Sequence, residues 1–352
     1  MGLFWNRAKI VKGIAQYQYF GKNQPVVAYL LLTNRCNLKC RYCFVEVNTI
    51  YKTDFSIEEW KQTIWNLKKR GCASVVMMGG EPMMYQGFDE LIHYCSELGL
   101  NTDMTTNGYY IEKHLDSVKK LNAVMLSMDG TRECMDVNRG KGSFDKAVKA
   151  LDILQANNIP VRINCVVTKQ NYQDADAFLT WVESRGLWVT FSLTAEFPHD
   201  AKELEKDIIL SKEETIEYHK KLLEMKKQGR KILFSEEALK YVIDYPLPYQ
   251  EIIFRQPNET LSSKATCLFG QTFVYVNSNG DIFPCATIWN RPDKFTPKNI
   301  RRDGIDEALK QASQLSCKSC FCSAIPEWKR TTTIQGIVDG VKFTLEQKMG
   351  NK

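Results

Sequence analysis

The sequence predicts an α/β protein, a parallel sheet wound with helices, and three observations carry that reading. Six short strand-like runs alternate with five helical segments between Val26 and Leu193. Cap residues and glycines punctuate the junctions. With 352 residues, 44% of them hydrophobic and 25% charged, the chain is large enough for one big or two modest cores.

The elements are justified in order. Residues 2–20 read as a basic amphipathic helix, with Phe4, Ile10, Val11, Ile14 and Tyr17 set against Arg7, Lys9 and Lys12; packing on the sheet is favoured over membrane contact. The strands are expected at Val26–Leu32, Ser74–Met78, Asn101–Thr105, Ala123–Met128, Val161–Val167 and Trp188–Leu193. The helices between them are expected near Ile57–Lys69, Phe88–Leu98, Ile111–Lys120, Phe144–Ala156 and Ala175–Ser184. Ser56 and Glu59 form a capping box, and Gly71 and Gly99 fall where helix C-caps belong. Residues 196–260 break the alternation as a helical connector, with a capped helix over Ser211–Gln228 and another over Ser235–Tyr245 stopped by Pro246 and Pro248. His219 reads as a helix-face residue. Thr272–Val276 and Asp281–Pro284 flank Asn277-Ser278-Asn279-Gly280, a strong hairpin signal, and a short helix follows over Ile305–Ser313. Residues 331–352 read as a C-terminal tail.

Composition narrows the function. A net charge of +6 admits an anionic substrate, but no Lys/Arg run interleaves with aromatics, so nucleic acid is not expected. The longest apolar run, Val26–Leu32, is far too short to span a bilayer, and the N-terminus lacks the Ser or Thr of a myristoylation signal at position six. Eight of the twelve cysteines gather in two clusters, and no signal peptide is evident; a reducing cytoplasm fits better than a disulfide scaffold.

The first cluster, Cys36-x3-Cys40-x2-Cys43, sits in a loop at the C-terminal end of the first expected strand, where α/β folds place active sites. Structural zinc wants four ligands, and neither a His nor a fourth Cys stands nearby. A [4Fe–4S] cluster takes one cysteine per iron, so three thiolates leave one iron open to bind a ligand.

This loop, with Tyr42 before its last cysteine, resembles that of the radical S-adenosylmethionine (radical SAM) superfamily. The resemblance implies a partial (β/α)6 barrel over residues 21–195 and a [4Fe–4S] cluster on Cys36, Cys40 and Cys43. The open iron of that cluster would chelate SAM, and one electron from a donor such as flavodoxin or ferredoxin would cleave SAM to a 5′-deoxyadenosyl radical. Tyr42 would lie near the adenine.

Gly79-Gly80-Glu81-Pro82, a common turn in isolation, matches at this strand end the family motif that holds the SAM amino group. Asn107 follows the third strand, and Ser127 and Asp129 stand at the fourth, where the family contacts SAM or substrate. Arg139 matches an arginine that approaches the SAM carboxylate, a role its planar fork suits. Asn164 on the fifth strand is a further candidate, with burial of a polar strand residue as the plain alternative.

The second cluster comprises Cys267, Cys285, Cys317, Cys320 and Cys322, enough for a four-ligand site with one thiol to spare. Its spacing resembles the twitch domain, the shortened SPASM extension of radical SAM enzymes, which implies a small α+β unit over 261–330 holding one auxiliary [4Fe–4S] cluster. Structural zinc suits four thiolates equally well. Of the remaining cysteines, Cys72 and Cys95 read as packing residues at helix ends. Cys165, mid-strand, and Cys322 are candidates for returning a hydrogen atom to a substrate radical.

The expected function is hydrogen abstraction from an unactivated C–H bond by a radical SAM enzyme, most often of a peptide, giving epimerisation, oxidation or a crosslink. The alternatives are the same chemistry on a lipid, isoprenoid or sugar-like molecule, and a non-enzymatic zinc, iron–sulfur or redox-sensing protein.

Overall fold

The computed structural model of the protein describes residues 2–45, 54–194, 208–247, 267–289, 291–292, 294–315 and 320–349, with the side chains of 2–7 and 343–349 left aside. Cys317 and much of the expected connector, residues 195–207 and 248–260, lie outside the described residues. The chain folds into two compact units, each discontinuous in sequence: 1–126 with 146–161 and 269–315, and 127–145 with 162–268 and 316–352.

The first unit is a sheet ordered β4-β3-β2-β1-β7-β8. β1 (Val27–Leu31), β2 (Ser74–Met78), β3 (Asn101–Thr106) and β4 (Ala123–Ser127) run parallel, each where the strand-like runs predict it. β7 (Phe273–Val276) also pairs parallel with β1, Val27 opposite Phe273, and β8 (Ile282–Phe283) returns antiparallel through the expected hairpin. The expected small β unit thus extends the main sheet, and Tyr29 stacks on Tyr275 at 4.4 Å across the new pairing.

Helices cover this sheet because their apolar residues recur at helical spacing. α2 (Ile57–Lys69) buries Trp60, Thr63, Ile64 and Leu67, and α3 (Phe88–Glu97) buries Phe88, Leu91, Ile92 and Cys95. The Ser56–Glu59 capping box is complete. In α1 (Gly2–Phe20), Ile14 is fully buried, and a Cβ on Gly13 would lie 2.5 Å from Val26 Cγ2, so the helix packs against the start of β1. The helix expected over Ile111–Lys120 closes only as α4 (Leu115–Val118), because the residues after Gly108 fold as turns and His114 Nδ1 is tied to Asp89 at 2.9 Å.

In the second unit β5 (Val161–Val167) and β6 (Val189–Leu193) run parallel. α5 (Arg132–Arg139) lies in a stretch where the sequence pattern announced no helix; its mean hydropathy is low, and Cys134, Met135, Asn138 and Arg139 form its buried side. The helices Lys212–Lys227 and Glu236–Ile243 begin at the N-caps Ser211 and Ser235. Tyr241, Val242 and Tyr245 then pack against Cys320, Phe321 and Ile325. Within the stretch expected as a tail, Ile334–Met349 is helical. Among the described residues no helix is long and apolar enough to cross a membrane.

Candidate active site

The cysteine loop leaves β1 and is stitched to the end of β2. Leu32 N–H donates to the Met78 carbonyl at 2.9 Å, Gly80 N–H to that of Thr33 at 2.8 Å, and Glu81 N–H to that of Arg35 at 2.8 Å. These bonds explain the two glycines. Gly79 has φ +150°, and a Cβ on it would lie 2.4 Å from the Thr33 carbonyl oxygen; one on Gly80 would lie 2.4 Å from that of Arg35. The bare backbone expected to admit a ligand is thus required first by the loop. Cys36 and Cys40 are half-buried and Cys43 is exposed, with Cys43 N–H donating to the Cys40 carbonyl at 3.1 Å. Tyr42 is half-buried beside them.

The next residue, Phe44, meets Trp289 edge-on at 6.2 Å, and Trp289 stacks on Phe283 of β8 at 4.3 Å. The hairpin region therefore buttresses the cysteine loop. Sequence reasoning missed Trp289; its place four residues after Cys285 was the available signal.

Glu81 is wholly buried and works as a hub. Its Oε1 accepts from Thr106 Oγ1 at 2.8 Å and from Met83 N–H at 3.4 Å, while Oε2 accepts from Asn107 N–H at 2.9 Å. Pro82 opens the 3-10 turn Pro82–Met84 that Glu81 caps. The carboxylate thereby joins the ends of β2 and β3. The Asn107 side chain turns back to the loop: Nδ2 donates to Asn37 Oδ1 at 3.0 Å and approaches Cys36 Sγ at 3.9 Å, and Oδ1 accepts from Tyr109 N–H at 3.1 Å. Leu38 N–H points at the same Sγ at 3.4 Å. Asn37 was not among the residues the sequence singled out.

In the second unit Asp129 is wholly buried and Arg139 nearly so. Arg139 grips Asp129 through Nε and Nη2, and Val166 N–H adds a third bond to Oδ1 at 3.1 Å. Asn171 Nδ2 meanwhile donates to the Asp129 carbonyl at 3.0 Å. Ser127 is buried at the end of β4, and Asn164 Oδ1 accepts from Ser192 Oγ at 2.7 Å. Cys165 lies on the buried face that β5 presents with Ile163 and Val167, the opposite face from Asn164. Burial above all pushes its thiol well above the usual cysteine range.

The later cysteines divide between the units. Cys285 belongs to the first and opens the turn Ala286–Ile288. In the second, Cys267 and Cys322 pack against the cluster that contains Cys320, and Tyr241 donates its hydroxyl to the Cys320 carbonyl at 2.7 Å. The Cys322 thiol is held below its ordinary value, chiefly through its interaction with Cys320.

Among the described residues no three His, Cys, Asp or Glu side chains converge as a ready metal cage. The donor set of the first loop nonetheless fits an iron–sulfur cluster. Three soft sulfurs stand on one loop, and amide N–H groups already point at one of them.

Comparison with known proteins bears on this arrangement. A family model described as the radical SAM superfamily matches residues 30–182. The Fe-coproporphyrin III synthase of Methanosarcina barkeri is 35% identical over 169 residues, 47% of this chain but only 42% of that relative. The mycofactocin maturase MftC of Mycolicibacterium smegmatis is 27% identical over 303 residues, 84% of this chain and 72% of the relative. A solved structure, Streptococcus suis SuiB bound to the precursor peptide SuiA, shares the fold with a TM-score of 0.64 at 20% identity, over 92% of this chain and 76% of that one. The family likeness is thus to the radical SAM superfamily, and it lies in residues 30–182, which hold the three-cysteine loop after β1 and the strands β2 to β5.

Proposed function

We propose that this protein cleaves SAM reductively and uses the resulting radical to abstract a hydrogen atom from a peptide. The observation that carries the reading is the Cys36-Cys40-Cys43 loop, locked to the ends of β2 and β3 by Gly80, Glu81 and Asn107. When bound, a [4Fe–4S] cluster with one open iron supplies electron delivery to the SAM sulfonium. The three cysteines would hold it, fed by a one-electron donor such as flavodoxin or ferredoxin.

Tyr42, Gly79, Gly80, Glu81, Pro82 and Asn107 are the first unit's proposed SAM contacts. Ser127, Asp129, Arg139 and Asn164 are those of the second, with Asp129 and Arg139 acting as one locked pair. Cys267, Cys285, Cys317 and one or both of Cys320 and Cys322 are proposed ligands of an auxiliary [4Fe–4S] cluster. The packing of Cys267 and Cys322 beside Cys320 favours a ligand role for Cys322 over hydrogen donation. Cys165, buried as a neutral thiol, is the weaker candidate for a donor.

The peptide is favoured because the alignment with the maturase MftC covers 84% of this chain and a structure of the same fold, SuiB, holds a precursor peptide. A tetrapyrrole-like small molecule is the second reading, favoured by the higher identity to the coproporphyrin enzyme over the shared domain.

The test uses the full chain, reconstituted anaerobically with iron and sulfide. Reduced protein should form 5′-deoxyadenosine, and replacing Cys36, Cys40 and Cys43 by Ala should abolish it while about four irons per chain remain on the second site. Undiminished cleavage in that variant, or zinc alone in the unaltered protein, would refute the reading. A peptide encoded beside the gene should raise deoxyadenosine output; stimulation by coproporphyrin III instead would move the substrate to the second class.

A further inference from the structure

We propose that the side-chain amides of Asn37 and Asn107 form a hydrogen-bonded pair that raises the reduction potential of a cluster held at Cys36. The inference rests on the cluster assignment above and concerns this chain's own residues.

Asn107 is buried, and its amide is committed at both ends: Oδ1 accepts from Tyr109 N–H, and Nδ2 donates to Asn37 Oδ1 with Cys36 Sγ also in reach. Its backbone N–H on Glu81 Oε2 fixes where the side chain starts. Asn37 therefore has its oxygen engaged, which leaves its Nδ2 facing elsewhere. That Nδ2 is buried and has no hydrogen-bond partner among the described residues.

A buried donor left unmet is destabilising, so its retention calls for an acceptor. Asn37 is the residue next to Cys36 on the ligand loop, and the acceptors a cluster brings are its thiolates and sulfides. Leu38 N–H at Cys36 Sγ adds a third donor to the same edge.

The direction of the effect follows from charge. Reduction places one more negative charge on the cluster, and N–H groups aimed at sulfur stabilise the reduced form more than the oxidised one. Removing a donor must therefore make reduction harder. Because the Asn107 backbone is bound to Glu81, the hub between the ends of β2 and β3 also sets the position of these donors.

The experiment is a redox titration of the full reconstituted chain followed by electron paramagnetic resonance. The cluster in question is identified as the one whose reduced signal changes when SAM is added. Asn37→Ala and Asn107→Ala, made separately, should each shift its midpoint to more negative potential at unchanged iron content, and the pair together further. Asn37→Ala is the safer variant, since Asn37 is only half-buried. Full iron with an unmoved midpoint in both variants would overturn the proposal. So would loss of the SAM-responsive signal together with its iron in both, which would assign the amides to holding the loop. If the unaltered protein shows no SAM-responsive signal, the proposed function itself fails, and this inference with it.

Discussion

Arg139 holds Asp129 in a two-bond fork, Nε to Oδ2 at 2.7 Å and Nη2 to Oδ1 at 3.0 Å, with 7% and 0% of the two side chains exposed. The pair ties the end of α5 to the turn after β4. Removing one partner would strand the other charge in the interior. Arg139→Ala should destabilise the protein without SAM by about 3–5 kcal/mol in urea unfolding. Arg139→Lys, which keeps the charge and loses the fork, should cost less. An Arg139→Ala variant as stable as the unaltered chain would mean that Arg139 serves a ligand alone.

The close approach at Gly80 gives a second expectation. A methyl group there meets the Arg35 carbonyl oxygen at 2.4 Å, backbone against backbone, with no flexible side chain to move aside. Gly80→Ala should displace the cysteine loop, lower the melting temperature, and remove about four irons per chain while the second site keeps its own. Unchanged iron and melting temperature would show that the loop tolerates the shift.

His219 should make stability depend on pH. It is buried on the Lys212–Lys227 helix, donates from Nδ1 to the Thr215 carbonyl at 2.8 Å, and burial lowers its pKa from 6.5 to about 4. Between those values the unfolded chain binds the proton and the folded one does not. Stability is therefore fully present above pH 6.5 and falls as pH drops toward 4, by up to about 3 kcal/mol from this group. Urea midpoints measured across that window should slope with pH, and the slope should shrink in His219→Gln. Identical slopes in the two proteins would exclude His219 as the source.

Cys267 and Cys322 pack beside Cys320, and Tyr241 anchors the Cys320 carbonyl. Cys322→Ser should therefore lose auxiliary-cluster iron, and Cys267→Ala should lose iron and lower the melting temperature. Full iron in Cys322→Ser, joined to loss of solvent deuterium at the product carbon, would instead identify Cys322 as a hydrogen donor.

Much of this protein is written locally in its sequence. The strands β1 to β6 stand within a residue or two of the strand-like runs that predict them, because alternation and β-branching act over a few neighbours. The Ser56–Glu59 box, the Asn277–Gly280 turn and the three-cysteine spacing are legible for the same reason: the chemistry lies within one turn of chain. Where the pattern was faint, in polar α5 and in the turns before α4, it misled or said nothing.

Tertiary structure decided the rest, through partners distant in sequence. Nothing near Val27 announces that Phe273 pairs beside it, nor near Phe44 that Trp289 meets its ring. Nothing near Gly79 and Gly80 announces that the Thr33–Arg35 backbone lies against them. Glu81 gains Thr106 and Asn107 as donors, 25 and 26 residues on, only through the pairing of β2 with β3. A sequence specifies local conformation through short-range sterics and hydrogen bonding, whereas the partner of a buried polar group is settled only when packing brings one within reach and excludes water.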